Sequence, residues 1–280
     1  MAELRFDKMH GAGNDFVVLD LRAVERDIDA GTARHLADRR RGVGCDQLLI
    51  VRRPQAANSL ARYEIRNADG SAAGQCGNGA RCIALYLAMR GETPGDPFIL
   101  ESPAGPVETV RCADGEFEID MGEPVFEPER IPLALEATGT RYRIDSPWGE
   151  LAFDAASMGN PHALIQVEDI EQAPLETTGA WLGRNPVFPE GCNVGFTQII
   201  DRQNIRLRVF ERGAGETPAC GSGACAAVAM LRRKNLVDDT VNVFLPGGHL
   251  VIKWRERDRV KMKGPAVHVF SGSLRWNDET

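Results

Sequence analysis

Two cysteines head two nearly matching motifs, 144 positions apart. Cys76-Gly77-Asn78-Gly79-Ala80 and Cys220-Gly221-Ser222-Gly223-Ala224 each set a thiol before a glycine turn and an apolar run of helical length. A helix start carries unpaired N–H groups and a partial positive charge, so it favours the thiolate of a cysteine placed there. The glycines let a ligand approach that backbone closely, and two such starts make a nest for one carboxylate. A chain that builds this device twice can aim two thiols at one carbon from opposite sides. The chemistry that suits them is proton transfer across a stereocentre. One thiolate removes an α-proton, and the opposite thiol delivers a proton to the other face. The Cα–H bond is only weakly acidic, so backbone donors must also hold the charge that moves onto the carboxylate. Losing one such donor typically costs about 3–4 kcal/mol.

Other residues fit around that pair. Asn14, Asn67, Asn78, Asn160 and Asn193 read as members of glycine- or proline-flanked loops. Singly each is an ordinary turn residue; collected at matching places in two halves they would line a polar cleft for a zwitterion. Arg212 offers a bidentate grip on a second carboxylate. His162 and Glu211 read as loop residues that set the thiols' protonation. The plainer alternative for those two is a satisfied loop histidine and a surface carboxylate. Cys82 and Cys225 fall inside the apolar runs and read as small hydrophobes, while Cys45, Cys112 and Cys192 suggest no chemistry. No Cys-x-x-Cys pair occurs and the five histidines are scattered, so no metal is expected. Gly11-Ala12-Gly13-Asn14-Asp15 lacks the strand-to-helix context of a dinucleotide fingerprint, and no P-loop occurs.

The matching extends beyond the cysteines. Asn67 lies nine residues before Cys76, and Glu211 nine before Cys220. Gly13-Asn14 and Gly159-Asn160 are 146 apart, and Gly44-Cys45-Asp46 and Gly191-Cys192-Asn193 are 147 apart. Landmarks that keep their order over such a period indicate a duplicated half-chain. At 280 residues the chain suits two domains, divided as 1–120 and 121–265. The Pro-rich stretch from Gly122 to Pro132 reads as the connection between them.

Short strands dominate the rest. They are expected at 4–9, 16–20, 48–52, 62–66 and 116–121 in the first half. In the second they are expected at 163–167, 196–200, 205–210, 241–245, 249–254, 260–263 and 267–270. Helices are expected at 77–89 and 221–234, with a polar one near 32–40. The two main helices are apolar nearly all round and must be buried. The fold class is α+β, each domain a strongly curved sheet wrapped around a central helix whose cysteine end opens at the rim.

Composition agrees with a soluble globular protein: 43% hydrophobic and 26% charged residues. Net charge is −7 and the sequence pI is about 5.4, which argues against nucleic acid or an anionic membrane as partner. Met1-Ala2-Glu3-Leu4-Arg5 carries no apolar signal segment, and seven cysteines then imply a reducing cytoplasm and free thiols.

At these residues the sequence resembles the diaminopimelate epimerase family. The resemblance is carried by His10-Gly11-Ala12-Gly13-Asn14-Asp15-Phe16, Arg66-Asn67-Ala68-Asp69-Gly70 and Cys76-Gly77-Asn78-Gly79-Ala80-Arg81-Cys82. Gly159-Asn160-Pro161-His162 and Ala219-Cys220-Gly221-Ser222-Gly223 continue it in the second half. It implies a cofactor-independent epimerase interconverting LL- and meso-diaminopimelate, on the route to lysine and peptidoglycan. It also implies a homodimer of two-domain chains, the two domains pseudo-symmetric and each a mixed sheet curled into a barrel around a helix. Residues after about 265 would return to the first domain. Cys76 and Cys220 would be the catalytic acid/base pair. Asn14, Gln47, Asn67, Asn160, Asn193, Glu211 and Arg212 would contact substrate. Gly77, Asn78, Gly221 and Ser222 would hold the reacting carboxylate, and His162 and Glu211 would tune the thiols.

Three rivals stand beside it. Proline racemases and hydroxyproline epimerases resemble the same architecture, but there Gly-His usually follows the first cysteine, where this chain has Gly77-Asn78. A thiol–disulfide protein would use Cys76 and Cys220 as a redox couple. A phenazine-type binding module would keep the fold and lack the cysteines, both of which are present here.

Overall fold

The structure is a computed structural model, and it describes residues 2–24, 26–74, 76–95, 97–136 and 139–276. The chain divides into two compact units, Met1–Ile119 with Gly264–Thr280, and Asp120–Lys263. Of the segment 266–280 expected in the first half, residues 277–280 lie outside the described residues.

In the first unit the elements run β1 (Ala2–Gly11), β2 (Asn14–Asp20), α1 (Ala30–Ala37), β3 (Gln47–Arg52), β4 (Ser59–Asn67) and β5 (Ala72–Ala73). They continue with α2 (Gly77–Met89), β6 (Phe98–Ser102), β7 (Gly105–Arg111) and β8 (Phe117–Gly122), the last of which crosses the unit boundary. β1 pairs antiparallel with β2, β2 parallel with β3, and β3 antiparallel with β4. β4 then pairs antiparallel with the short β5 and parallel with β6. β6, β7 and β8 close the run as an antiparallel meander.

The second unit repeats this plan. It holds β9 (Tyr142–Ser146), β10 (Gly149–Ser157), β11 (Pro161–Gln166), a short helical turn α3 (Ala180–Leu182), β12 (Asn193–Asp201), β13 (Asn204–Glu211) and β14 (Gly215–Thr217). α4 (Gly221–Arg233), β15 (Thr240–Leu245), β16 (Gly248–Lys253) and β17 (Val260–Gly264) follow. β10 pairs antiparallel with β11, β11 parallel with β12, and β12 antiparallel with β13. β13 takes the short β14 on one stretch and the parallel β15 on another, and β15, β16 and β17 form the meander. One further strand flanks each plan. In the second unit it is β9, which pairs with β10. In the first it is β18 (Val267–Trp276), which comes from the far end of the chain to pair with β1.

Both central helices form because their runs are rich in alanine and other apolar residues, with glycine confined to the first turn. α4 packs against the adjacent strands β10, β11 and β12 and also against β16, which lies beyond β13 and β15. A helix can touch all of them only if the sheet curls round it. α2 packs against the adjacent strands β18, β1, β2 and β3. The expected architecture is thus present in each unit: a mixed sheet curled around one buried helix.

The stretch from Gly122 to Pro132, expected as the connection, is anchored in the second unit. Val125 exchanges both backbone hydrogen bonds with Ser157, and Ile131 is fully buried in the second unit's core beside Leu133 and Phe153. Strands β6, β7, β9 and β10 were absent from the sequence reading. The final strand runs six residues past Phe270, to Trp276, because β1 pairs with it along its length.

Candidate active site

In the first unit, Cys76 is the N-cap of α2, in extended backbone conformation. Its sulfur accepts the Gly79 N–H at 3.4 Å and donates toward Asn14 Oδ1 at 3.7 Å. Asn14 opens β2, and its amide donates to Asp46 Oδ2 at 3.0 Å. Asn78, in the first turn of α2, donates to Asn14 Oδ1 at 3.3 Å. Its own carbonyl oxygen accepts from Arg81 at 2.7 Å. Gln47 opens β3 opposite Asn67 at the end of β4, and its amide donates to Asn67 Oδ1 at 2.8 Å. Gly79 lets the helix start settle on the sheet: a Cβ there would lie 2.9 Å from Leu49 Cδ2.

In the second unit, Cys220 is the N-cap of α4, 4% exposed, with its sulfur 3.7 Å from Ser222 Oγ. Glu211, at the end of β13, accepts a hydrogen bond from Thr217 Oγ1. Burial first, and the Glu211 carboxylate second, push the Cys220 thiol well above its ordinary range. This corrects the expectation that a helix start leaves the thiolate favoured here. Desolvation of a buried sulfur and a neighbouring anion outweigh the helix N-terminus. His162, on β11, pairs in register with Asn193 on β12. Its Nε2 is 3.0 Å from Asn160 Oδ1. An amide oxygen only accepts, so Nε2 carries the proton. Burial, with Arg212 as a smaller cause, lowers His162 to about 3, so the ring is neutral. Asn193 Oδ1 accepts the Arg212 backbone N–H at 2.8 Å, and the Arg212 guanidinium donates to the Glu190 carbonyl.

The expected loop positions therefore change. Asn14, Asn67 and Asn193 sit on strand ends, Asn78 in a helix, and only Asn160 in a turn. His162 and Glu211 stand on strands rather than loops, and Glu211 is half-buried. The registers align the two units residue by residue: Phe16 with His162, Gln47 with Asn193, and Asn67 with Glu211. The first unit thus surrounds its thiol with neutral amides; the second supplies an imidazole and a carboxylate.

Asp46 and Arg81 belong to this environment and were not picked out as functional in the sequence. Their only signals were the Gly44-Cys45-Asp46 landmark and a lone arginine in an apolar helix. A cavity of about 840 Å³ in the first unit is lined by Arg34, His35, Arg39, Arg40 and Arg41 and by none of the candidate residues. Among the described residues, no group of three or more His, Cys, Asp or Glu is placed to hold a metal. No described helix is long and apolar enough to cross a membrane.

The fold is one found among amino-acid racemases and epimerases. It superposes with a TM-score of 0.74 on a probable proline racemase from Agrobacterium radiobacter K84, at 16% identity over 99% of this chain and 94% of that one. For a hydroxyproline epimerase from Agrobacterium vitis the TM-score is 0.72, at 18% identity over 99% and 94% of the two chains. At such identities the likeness speaks for the fold alone.

Sequence resolves the family within it. The family model described as Diaminopimelate epimerase matches residues 6–127 and 155–269. A diaminopimelate epimerase from Xanthomonas axonopodis pv. citri is 50% identical over 276 residues, covering 98% of this chain and 96% of the relative. One from Thioalkalivibrio sulfidiphilus is 47% identical over 274 residues, covering 97% and 99%. The chain belongs to the diaminopimelate epimerase family.

Proposed function

We propose that this chain is a cofactor-independent isomerase that interconverts LL- and meso-diaminopimelate, supplying lysine and peptidoglycan precursors. One observation carries the reading: in a chain of this family, each unit's central helix is capped at its N-terminus by a cysteine. Cys76 and Cys220 are the proposed catalytic pair. One sulfur, as thiolate, takes the α-hydrogen as a proton, and the electron pair of the broken C–H bond spreads into the carboxylate. The other thiol gives its proton to the opposite face, and the negative charge has passed from one sulfur to the other. No electrons leave the substrate, so the reaction calls for no redox or carbonyl cofactor.

Gly77, Asn78, Gly221 and Ser222 hold the reacting carboxylate in this reading, through the N–H groups of two helix starts. Asn14, Gln47, Asn67, Asn160, Asn193, Glu211 and Arg212 contact the rest of the zwitterion. Glu211 keeps Cys220 protonated as the acid partner. His162, neutral and buried, orients Asn160 by donating to it. The working form is a homodimer; the exposed Val267, Val269 and Phe270 of β18 support a second copy as partner. The cytoplasm is the proposed location.

Turnover of each pure isomer in deuterium oxide tests the reaction. Each isomer should yield the other with deuterium at the new stereocentre. Racemisation of proline without turnover of diaminopimelate would overturn the reading.

A further inference from the structure

We propose that Asp46 and Arg81 are positioning residues that fix the direction of a hydrogen-bonded chain, Arg81–Asn78–Asn14–Asp46, and so the atom that Asn14 presents to the Cys76 sulfur. A side-chain amide has a donating and an accepting end, and its partners decide which way it points. Arg81 Nη2 lies 2.7 Å from the Asn78 side chain. A guanidinium only donates, so the Asn78 oxygen must face it. At the other end, Asp46 Oδ2 takes the Asp15 backbone N–H at 3.1 Å, and Asp46 Oδ1 takes Arg39 at 2.8 Å. A carboxylate engaged by those donors accepts, so the Asn14 nitrogen must face it, at 3.0 Å. The middle link, Asn78 Nδ2 to Asn14 Oδ1 at 3.3 Å, then has one possible direction. A cation and an anion pin the two ends of a polarised chain.

The consequence falls on Cys76. Asn14 Oδ1 stands 3.7 Å from its sulfur and offers the thiol proton an acceptor. Reversing Asn14 would aim an N–H at the sulfur instead, which stabilises a thiolate. Ionisable groups that bear on this sulfur include Tyr63 of β4 and Cys82 of α2, both of which burial keeps protonated. Lys8 and Arg39 pair with Asp15, and Arg39 also with Asp46.

The second unit shows that the shared architecture does not need these residues. The strand registers match Gln47 with Asn193 and so move the 147-residue landmark by one; at the positions matching Asp46 and Arg81 the second unit has Cys192 and Cys225, and its Asn160 is met by neutral His162. A fully buried arginine is costly unless its hydrogen bonds are met. Here Nη2 donates to Asn78 and Nε donates to the Pro265 carbonyl at 3.2 Å.

The inference rests on Cys76 being a reactive thiol, and its test needs no substrate. The rate of iodoacetamide alkylation at Cys76, read from its peptide mass, is followed against pH in the whole protein. The four forms are wild type, Asp46→Asn, Asn14→Ala and the double variant. Asp46→Asn removes the anionic pin and leaves only the 3.3 Å link from Asn78 to hold Asn14, so the Cys76 profile should move to lower pH by about one unit. In the Asn14→Ala background the same substitution should move it by less than about a third of that. No shift in Asp46→Asn overturns the proposal, even if its melting temperature falls. An equal shift in both backgrounds also overturns it, because Asp46 would then act as a through-space charge. A protein that shows the expected shifts but turns over no diaminopimelate would refute the proposed activity and leave this inference standing.

Discussion

The carboxylate of Glu211 bears on the thiol of Cys220 and raises it. At the matching place in the first unit stands Asn67, whose oxygen accepts from Gln47 instead. The same backbone plan therefore gives its two cysteines different electrostatic surroundings.

Removing that carboxylate should release Cys220. Glu211→Gln deletes the anion that raises the thiol, so more thiolate forms at a given pH. Alkylation of Cys220 at neutral pH should accelerate about tenfold, equivalent to one unit, as read by peptide mass. An unchanged rate would mean that burial alone governs this sulfur.

Each cysteine is expected to be indispensable. Cys76→Ala and Cys220→Ala should each lower epimerisation by about 10²–10⁴-fold, the usual worth of a general acid or base. One base survives in each variant, so solvent exchange should persist on one face of one isomer. Near-normal turnover in either variant would refute a two-base reaction.

His162 should not titrate in the physiological range. Its folded value, about 3, lies below the ordinary histidine value near 6.5. The unfolded chain therefore takes up a proton first, and the stability this group provides is lost as pH falls from about 6.5 toward 3. A proton-resonance titration should find one histidine ring with no inflection above pH 5. An inflection between 6 and 7 for His162 would show that the ring is hydrated.

The buried thiols act at the alkaline end. Burial pushes Cys45 and Cys192 up to about 12 and also raises Cys220. The unfolded chain releases these protons near 8.5 while the fold keeps them. Their contribution is complete below that pH and is lost as pH rises toward the folded values. Melting temperature should fall steadily above about pH 9; a plateau between 9 and 11 would contradict the assignment.

Gly79→Ala should injure both fold and site. The added methyl meets Leu49, which is fully buried, and overpacking of this kind costs about 1–3 kcal/mol. Gly74→Ala meets nothing within 4 Å and should change stability by less than about 0.5 kcal/mol. Calorimetry on both variants separates the two outcomes.

The central helices could be read from sequence because apolar runs behind a glycine turn leave few alternatives, and α2 spans the expected residues. β9 and β10 could not. Tyr142–Ser146 alternates in burial but over only five residues, and Gly149–Ser157 mixes charged, small and apolar residues without alternating. They become strands because they pair with each other and with β11. The asparagines misled for a related reason. Asn67 and Asn193 look like turn formers, yet they occupy register positions at strand ends, where side chains of neighbouring strands meet. The partnership of Asp46 with Asn14 joins residues 32 apart through a parallel strand pair, and no local pattern announces it.

The strand that flanks β1 is made last of all. While the chain leaves the ribosome, β9 is already in place when β10 emerges, but β1 waits more than 250 residues for β18. During that interval one edge of the first unit presents unpaired backbone groups. The half that is synthesised first is therefore the half that finishes folding second, and the interval before β18 arrives is when the nascent protein most needs protection from aggregation.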